Sequence, residues 1–236
     1  MKPIRVTRGR LAPLDRANVD TDQIIPKQFL KRIERSGFGE FAFHDWRRDP
    51  DFAPARPEYA AASILVTGPN FGCGSSREHA AWALQDAGYA AIVAPSFADI
   101  FRSNCHNVGL LPVVLAEGEV KSLLRAATDN PETELVIDLE AQSVRGGGVE
   151  APFEIEPFVR QRLLNGWDEI ALSERHEHLI EDYERRRPQW LPKSTRWAPR
   201  PAPSLGCSHG REPDSAVPHA VGGRLAGHAE EGPRAD

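Results

Sequence analysis

Residues 63–85 constrain the fold of this chain more than any other stretch, because they join a strand, a glycine-punctuated loop and a helix start. The apolar and β-branched run at 64–67 is stopped by the Gly-Pro pair at 68–69, which predicts a buried strand. In the loop that follows, Gly72 and Gly74 allow backbone conformations closed to other residues and a close approach to a bound group. The stretch therefore predicts a ligand-binding loop between a strand and a helix.

The helix start behind this loop has the chemistry of an anion site. Ser75 and Glu78 have the S-x-x-E spacing of a capping box, and good helix formers continue through 79–85. Free N–H groups and the positive end of a helix dipole favour a carboxylate or a phosphate there. A cap alone would explain Ser75, but Ser76 and Arg77 add a second hydroxyl and a guanidinium that can bind a carboxylate with two hydrogen bonds. The spacing matches neither a Walker loop nor a dinucleotide loop, which disfavours a nucleotide site.

The composition excludes several classes of partner. A chain of 236 residues that is 40% hydrophobic and 27% charged can bury a sizeable core in one or two domains. A net charge of -5 gives no general attraction to nucleic acid or to anionic lipid. No apolar run approaches the roughly 20 residues of a membrane helix, and the N-terminal residues lack the apolar core of a secretory signal. We therefore expect no nucleic-acid or membrane partner.

The cysteines indicate a reducing compartment. Cys73, Cys105 and Cys207 are odd in number and widely separated, which argues against a disulfide framework and favours a cytoplasmic location. There is no Cys-x-x-Cys pair, so this chain by itself is a poor candidate to hold an iron–sulfur cluster. Neither Cys105 with His106 nor Cys73 with His79 has the spacing of a metal site, and we expect structural roles for them.

Alternating strand and helix patterns predict an α/β fold. Strands at 90–95 and 109–115, separated by a short helix at 96–101 that Ser96 would cap, indicate crossover connections. The remaining predicted elements are a first strand at 4–11, a helix at 117–128, a strand at 135–139, a hairpin with its turn at 146–148 and its return at 151–156, and helices at 157–164 and 173–187.

Two regions depart from this pattern. Residues 37–59 mix aromatic side chains with arginine, aspartate and proline without a period. We interpret them as a flexible arm that orders against another chain, the alternative being a loop folded back over its own domain. From 188 onwards the chain is rich in proline and glycine and poor in branched apolar residues. We therefore predict a folded domain at 1–191 and a disordered tail at 192–236.

Residues 70–80, Asn-Phe-Gly-Cys-Gly-Ser-Ser-Arg-Glu-His-Ala, resemble the signature loop of the swivel domain in the aconitase family, in the form found in small subunits of its isopropylmalate dehydratases. Residues 20–26 resemble a second signature of that family, although a turn with Asx-type hydrogen bonds would also explain their acidic cluster. Pieces at 96–100 and 109–112 match in the same order. The resemblance implies an α/β fold of the aconitase-type swivelling β/β/α layered kind, with a mixed sheet.

The resemblance also implies a function. It indicates the small subunit of a hydro-lyase that isomerises 2-isopropylmalate to 3-isopropylmalate by dehydration and rehydration in leucine biosynthesis. The implied partner is a large subunit that carries a 4Fe–4S cluster, and the implied substrate is a dicarboxylate 2-hydroxy acid. This division agrees with the lack of a cluster motif here.

Site residues follow from the same resemblance. It implies Ser75 as the catalytic base and Ser76 and Arg77 as ligands of a substrate carboxylate. Lys31 or Arg32 would meet a carboxylate as well, although a solvated basic helix face explains them equally. Supporting roles in the loops are implied for Gly72, Gly74, Glu78, His79, Asp20, Thr21 and Asp22.

Two alternatives remain open at this point. A related dehydratase acting on citraconate/methylmalate or homoaconitate would share the loop and differ in the pocket for the substrate side chain. A non-catalytic anion-binding module would use the same loop without a cluster-bearing partner. Binding to such a partner therefore separates an enzyme from a binding module.

Overall fold

A mixed sheet of seven strands organises the residues that the computed structural model describes, namely 1–31, 35–75, 77–188 and 190. The strands are β1 (Val6–Leu14), β2 (Ala62–Thr67), β3 (Ala91–Ala94), β4 (Leu111–Val114), β5 (Glu134–Asp138), β6 (Ser143–Gly146) and β7 (Val149–Pro152). Their order across the sheet is β4-β3-β2-β1-β5-β6-β7. Strands β1 to β4 pair in parallel, whereas β5 pairs antiparallel with β1 and with β6, which in turn forms a hairpin with β7. The predicted mixed α/β sheet is present.

Helices provide the crossovers between the parallel strands. They are α1 (Thr21–Ile24), α2 (Glu78–Asp86), α3 (Asp99–Val108), α4 (Glu117–Asp129), α5 (Pro157–Asn165), α6 (Glu169–Glu174) and α7 (Glu177–Arg186). Short 3-10 helices occupy Lys27–Lys31, Gly39–Phe41, Trp46–Arg48, Ala53–Ala55 and Pro57–Tyr59. Helix α2 joins β2 to β3, and α3 joins β3 to β4. Met1–Arg186 is a compact unit.

The two faces of the sheet bury separate cores. Leu65 lies opposite Ala12 on β1 and Ile92 on β3, and this row belongs to the core that contains α2 and α3. The neighbouring row includes Ile64 and Ala91, and it packs in the core that contains α4. Since successive side chains of a strand point to opposite faces, the parallel half of the sheet is covered on both sides.

Residues 37–59 fold back on their own domain, which is the alternative rather than the arm predicted to order against another chain. The residues buried in the core that contains α2 and α3 are Phe38, Phe43, Phe52 and Tyr59. The Phe43 N–H donates to the carbonyl of Ile24 at 2.7 Å, and the Tyr59 hydroxyl donates to a backbone carbonyl of α4 at 3.0 Å. These aromatic side chains pack in the core on one face of the sheet, although they follow no regular period.

Several predicted helix ends are wrong because tertiary contacts use the capping side chains. Helix α2 begins at Glu78 behind Arg77, so Ser75 does not cap it. Helix α3 begins at Asp99, and the Ser96 hydroxyl accepts a hydrogen bond from a loop N–H instead. The helix predicted at 173–187 corresponds to α7 and begins four residues later, whereas α6 was not predicted. The predicted tail at 192–236 lies outside the described residues.

Candidate active site

Three loops meet at the carboxyl ends of the adjacent strands β1, β2 and β3. The Gly72 N–H donates to the carbonyl of Val19 at 2.8 Å, and the Thr21 N–H donates to the carbonyl of Cys73 at 2.9 Å. On the other side, the Ala98 N–H donates to the carbonyl of Phe71 at 3.0 Å. Neighbouring parallel strands deliver their following loops to one edge, which is the usual place for a site in such sheets. The structure therefore brings the two signature segments into direct backbone contact.

Glycine is required at the two turns of the signature loop. Gly72 has a φ of +78°, and a Cβ atom there would lie 2.2 Å from the ring of Phe101. Gly74 has a φ of +86°, and its Cβ would lie 3.1 Å from a carboxylate oxygen of Asp20. Both positions are in the left-handed region that other residues rarely adopt. The loop therefore reaches its neighbours only because two side chains are missing.

Helix α1 fixes the second signature. The Asp20 carboxylate accepts from the Asp22 N–H, and the Gln23 side chain accepts from the Asp20 N–H at 2.9 Å, which completes a capping box. Thr21 is buried, with 1% exposure, and its hydroxyl oxygen lies 3.4 Å from that of Ser75. The Asx-type turn predicted for this segment is confirmed, and it places a buried hydroxyl beside Ser75.

Arg77 is joined to the second signature by an ion pair. Its guanidinium donates to one carboxylate oxygen of Asp22 at 2.7 Å, while the ammonium of Lys27 lies 3.3 Å from the other oxygen. Both partners of the Arg77 pair are about two-thirds or more buried, whereas the Lys27 side chain is 71% exposed. A guanidinium has five N–H donors, so the pair orients Arg77 and leaves donors for a ligand.

The remaining predicted ligands are less defined. Ser75 is exposed at the surface of the loop, and Lys31 is exposed at the end of its 3-10 helix. Ser76 and Arg32 lie outside the described residues. The structure thus unites Ser75, Arg77 and Asp22 around one loop, and the contacts of the other basic residues with a substrate stay predictions.

His79 packs rather than points into a polar site. Its ring contacts Phe38 edge-on at a centroid distance of 5.4 Å and lies 4.7 Å from the ring of Trp82. Burial lowers the pKa of His79, so the neutral ring is favoured. Glu78 opens α2 and lines a cleft together with the start of α6.

Two contributors to the site were missed at the level of sequence. Asn70 and Asn18 both have a positive φ, and the Asn70 amide donates to the Asn18 side chain at 2.8 Å. The ion pair of Asp22 with Arg77 was also missed, although both residues stood in recognised signatures. The available signal for these left-handed turns was the residue type, because asparagine adopts a positive φ more readily than most residues other than glycine.

Cys105 and His106 are buried in the domain and do not form a reactive site. Burial raises the pKa of the Cys105 thiol well above its usual value. Burial and the charges of Arg102 and Arg162 lower the pKa of His106 to about 4. Across the described ranges, His, Cys, Asp and Glu form no group of three that could hold a metal ion. Nor does that part of the chain contain a helix with the length and hydropathy to cross a membrane.

Family models and known relatives match almost the whole of this folded part. The model of the aconitase C-terminal domain matches residues 1–118, and the LeuD_N model matches 121–157. A 3-isopropylmalate dehydratase small subunit from Rubrobacter xylanophilus is 53% identical over 193 residues, which are 82% of this chain and 99% of the relative. One from a Geobacillus species is 56% identical, covering 79% of this chain and 98% of the relative.

A solved structure agrees with these relatives. The crystal structure of 3-isopropylmalate dehydratase from Methanocaldococcus jannaschii is 27% identical and superposes with a TM-score of 0.56 over 76% of this chain and 99% of the other. The aconitase-type α/β fold expected from the signatures is therefore confirmed. Identities above one half over nearly the full length of the relatives show that the chain belongs to the family of 3-isopropylmalate dehydratase small subunits.

Proposed function

We propose that this chain supplies the base and the carboxylate contacts of a two-subunit enzyme that isomerises 2-isopropylmalate to 3-isopropylmalate in leucine biosynthesis. The observation that carries the proposal is the union of the two signatures, in which Thr21 lies beside Ser75 and Asp22 holds Arg77. A sensor that only bound an anion would need the arginine, but not a serine beside a buried hydroxyl.

The reaction makes three chemical demands. The departing hydroxyl needs a Lewis acid, the neighbouring C–H needs a base, and the two carboxylates of the substrate need cationic or N–H partners. The described part of this chain does not fit an iron–sulfur cluster, since Cys105 is fully buried with a raised pKa and Cys73 lies in a separate loop. We therefore assign the 4Fe–4S cluster to a large subunit.

Ser75 is the proposed base. Its alkoxide oxygen would accept the proton from the carbon next to the departing hydroxyl, and the resulting hydroxyl would give the proton to the other carbon when water adds back. A serine is a strong enough base only if its alkoxide is stabilised. The Thr21 hydroxyl at 3.4 Å, the positive charge of Arg77 and the N-terminus of α2 are the groups of this chain that can do so.

Arg77 is the proposed anchor of one substrate carboxylate. Asp22 occupies one side of the guanidinium, which leaves the other donors for the ligand. Ser76 would donate to the same carboxylate, and Lys31 or Arg32 would meet the second one. The low number of cysteines and the net charge of -5 support a cytoplasmic enzyme without nucleic-acid or membrane partners.

The test is an anaerobic assay of 2-isopropylmalate conversion with this chain alone and with a cluster-bearing large subunit from the same source. We expect turnover only in the mixture, because the Lewis acid and the base lie on different chains. A mixture whose cluster is spectroscopically intact but which converts no 2-isopropylmalate would contradict the proposal. Turnover of citraconate or homoaconitate instead would retain the mechanism and replace the substrate.

A further inference from the structure

Helices α6 and α7 leave an apolar face uncovered. Ile170 is 71% exposed, and Leu179, Ile180 and Tyr183 are 56%, 46% and 59% exposed. The three residues of α7 have the spacing of a single helical face. Neither helix has a buried residue, although these four side chains are half of the large hydrophobic residues found exposed in the described part of the chain. We call these four side chains the α6–α7 face.

The start of α6 is anchored to the rest of the domain. The ammonium of Met1 donates to the carbonyl of Gly166 at 3.1 Å and lies 3.8 Å from the carboxylate of Asp168, which caps α6. The guanidinium of Arg175 lies 4.2 Å from the ring centre of Trp167. A helix of ten residues is marginal in water without packing. The anchored start and the unpacked helix indicate a surface that another chain completes.

The start of the α6–α7 face lies in the same cleft as the C-terminal part of the signature segment at 70–80. Glu78, the neighbour of Arg77, and Ile170, the first residue of the face, line the same cleft of about 410 Å³. A chain that brings a cluster to Ser75 binds beside this cleft, because Ser75 lies three positions before Glu78 in the signature segment. It therefore reaches the start of α6.

Two other occupants are disfavoured. A second copy of this chain is disfavoured because the described residues form no metal-binding group that it could bring to Ser75. The tail at 192–236 is disfavoured because the aligned 193 residues account for 99% of the Rubrobacter relative but only 82% of this chain. An aligned segment of 193 residues includes α7 wherever it begins in this chain, and a segment that begins at residue 1, as the family match does, ends at the start of the tail.

We propose that the α6–α7 face is a docking surface for the cluster-bearing large subunit. This inference rests on the proposed function, since it takes its partner from it. The buried area would be apolar at its centre, with the charged side chains of α7 at its rim, as in other stable interfaces.

Hydrogen–deuterium exchange of the full chain tests the surface without a mutation. We expect the amides of α7 to exchange rapidly in the isolated chain, and at least about tenfold more slowly in the complex with the large subunit. Strong protection already in the isolated chain would mean that the tail or a second copy covers the helix, and would overturn the proposal. Unchanged exchange in the complex would also overturn it.

A double variant separates this surface from the proposed function. Leu179→Ser with Tyr183→Ser should raise the Kd for the large subunit at least about tenfold, because two apolar side chains lose their burial. The matched control is Val6→Ser, which removes an apolar side chain that is 55% exposed on β1 and should leave the Kd unchanged. Equal binding by the double variant and the wild type overturns the docking surface alone. Failure of the wild type to bind any cluster-bearing large subunit overturns the proposed function, and this surface with it.

Discussion

Glu78 of the signature segment and Ile170 of the α6–α7 face line the same cleft, but this chain completes only the signature loop. The loop is held by backbone hydrogen bonds from both neighbouring loops, and glycine fits it against Phe101 and Asp20. The helices have no buried side chain at all. We therefore expect the geometry of the candidate site to be set before assembly, and the α6–α7 face to be stabilised by assembly.

The largest effect on activity is expected at Ser75, an exposed residue of the signature loop. Ser75→Ala should lower kcat by about 10² to 10⁴-fold, the usual contribution of a general base. Ser75 is exposed and does not cap α2, so stability and assembly should not change. Steady-state kinetics of the reconstituted enzyme, with a binding measurement as the control, check this. A variant that retains wild-type kcat would remove Ser75 from the mechanism.

A side chain added at Gly72, in the turn of the signature loop, should destabilise the folded chain. Gly72→Ala combines a strained φ with a contact of 2.2 Å to Phe101, and should cost about 2 to 5 kcal/mol of unfolding free energy. Urea denaturation measures this directly. Gly118→Ala is the matched control, because no atom lies within 4 Å of the added methyl group, and a small gain in stability is expected. An unchanged free energy of unfolding in Gly72→Ala would mean that the signature loop is not tightly packed in the folded chain.

The buried ring of His106 should make the stability of the folded chain fall in acid over a defined pH range. His106 has a pKa of about 4 in the folded chain and an ordinary value of 6.5, so the unfolded chain binds the proton first. Above pH 6.5 His106 is neutral in both states and does not destabilise the fold. The free energy of unfolding falls as the pH drops from 6.5 towards 4. At pH 5 the loss should be about 2 kcal/mol relative to pH 7.

His106→Leu provides the comparison for this prediction. The variant should lose less stability than the wild type between pH 7 and pH 5 in urea unfolding. Parallel pH curves for the two proteins would contradict the assignment.

A moderate effect is expected from the ion pair that links the signatures. Asp22→Asn should reduce kcat/KM about tenfold, because Arg77 loses a charged partner that orients it. Lys27→Gln is the control, since Lys27 contacts the same carboxylate but is mostly exposed, and should change kcat/KM less than about twofold. Equal effects of the two variants would show that general electrostatics, and not the orientation of Arg77, determines the rate.

The smallest effect is expected at the end of the chain. Removal of the tail at 192–236 should leave thermal stability and reconstituted activity nearly unchanged, because 193 aligned residues, about the length of the chain without this tail, account for 99% of the Rubrobacter relative. Differential scanning calorimetry and the anaerobic assay measure both. A large loss of stability would mean that the tail contributes to the α6–α7 face, and would weaken the comparison.

Local signals in the sequence predicted the elements well. Pro157 and Gly166 bound α5 as expected, because a proline at the first helical position and a glycine just past the end act within a few residues. The glycine turn between β6 and β7 was predicted for the same reason.

The errors share a non-local cause. The hydroxyl of Ser96 is used by Asn70 and that of Ser75 lies beside Thr21, so neither caps its helix. The aromatic residues at 37–59 are buried by strands and helices that their own pattern does not specify. Asp22 and Arg77 were each placed in a signature, but their pairing across 55 positions depends on the strand order.

The central claim is that a preformed serine of this chain removes a proton from a substrate activated by another chain. The most direct measurement uses 2-isopropylmalate deuterated at the carbon that loses its proton, and follows by NMR the loss of deuterium from that carbon, to solvent or to the neighbouring carbon, in the anaerobic complex. We predict rapid loss with the wild type, none with this chain alone, and a rate at least about 10²-fold lower with Ser75→Ala. Loss at the wild-type rate in the Ser75→Ala complex would contradict the account, because the base would then lie elsewhere.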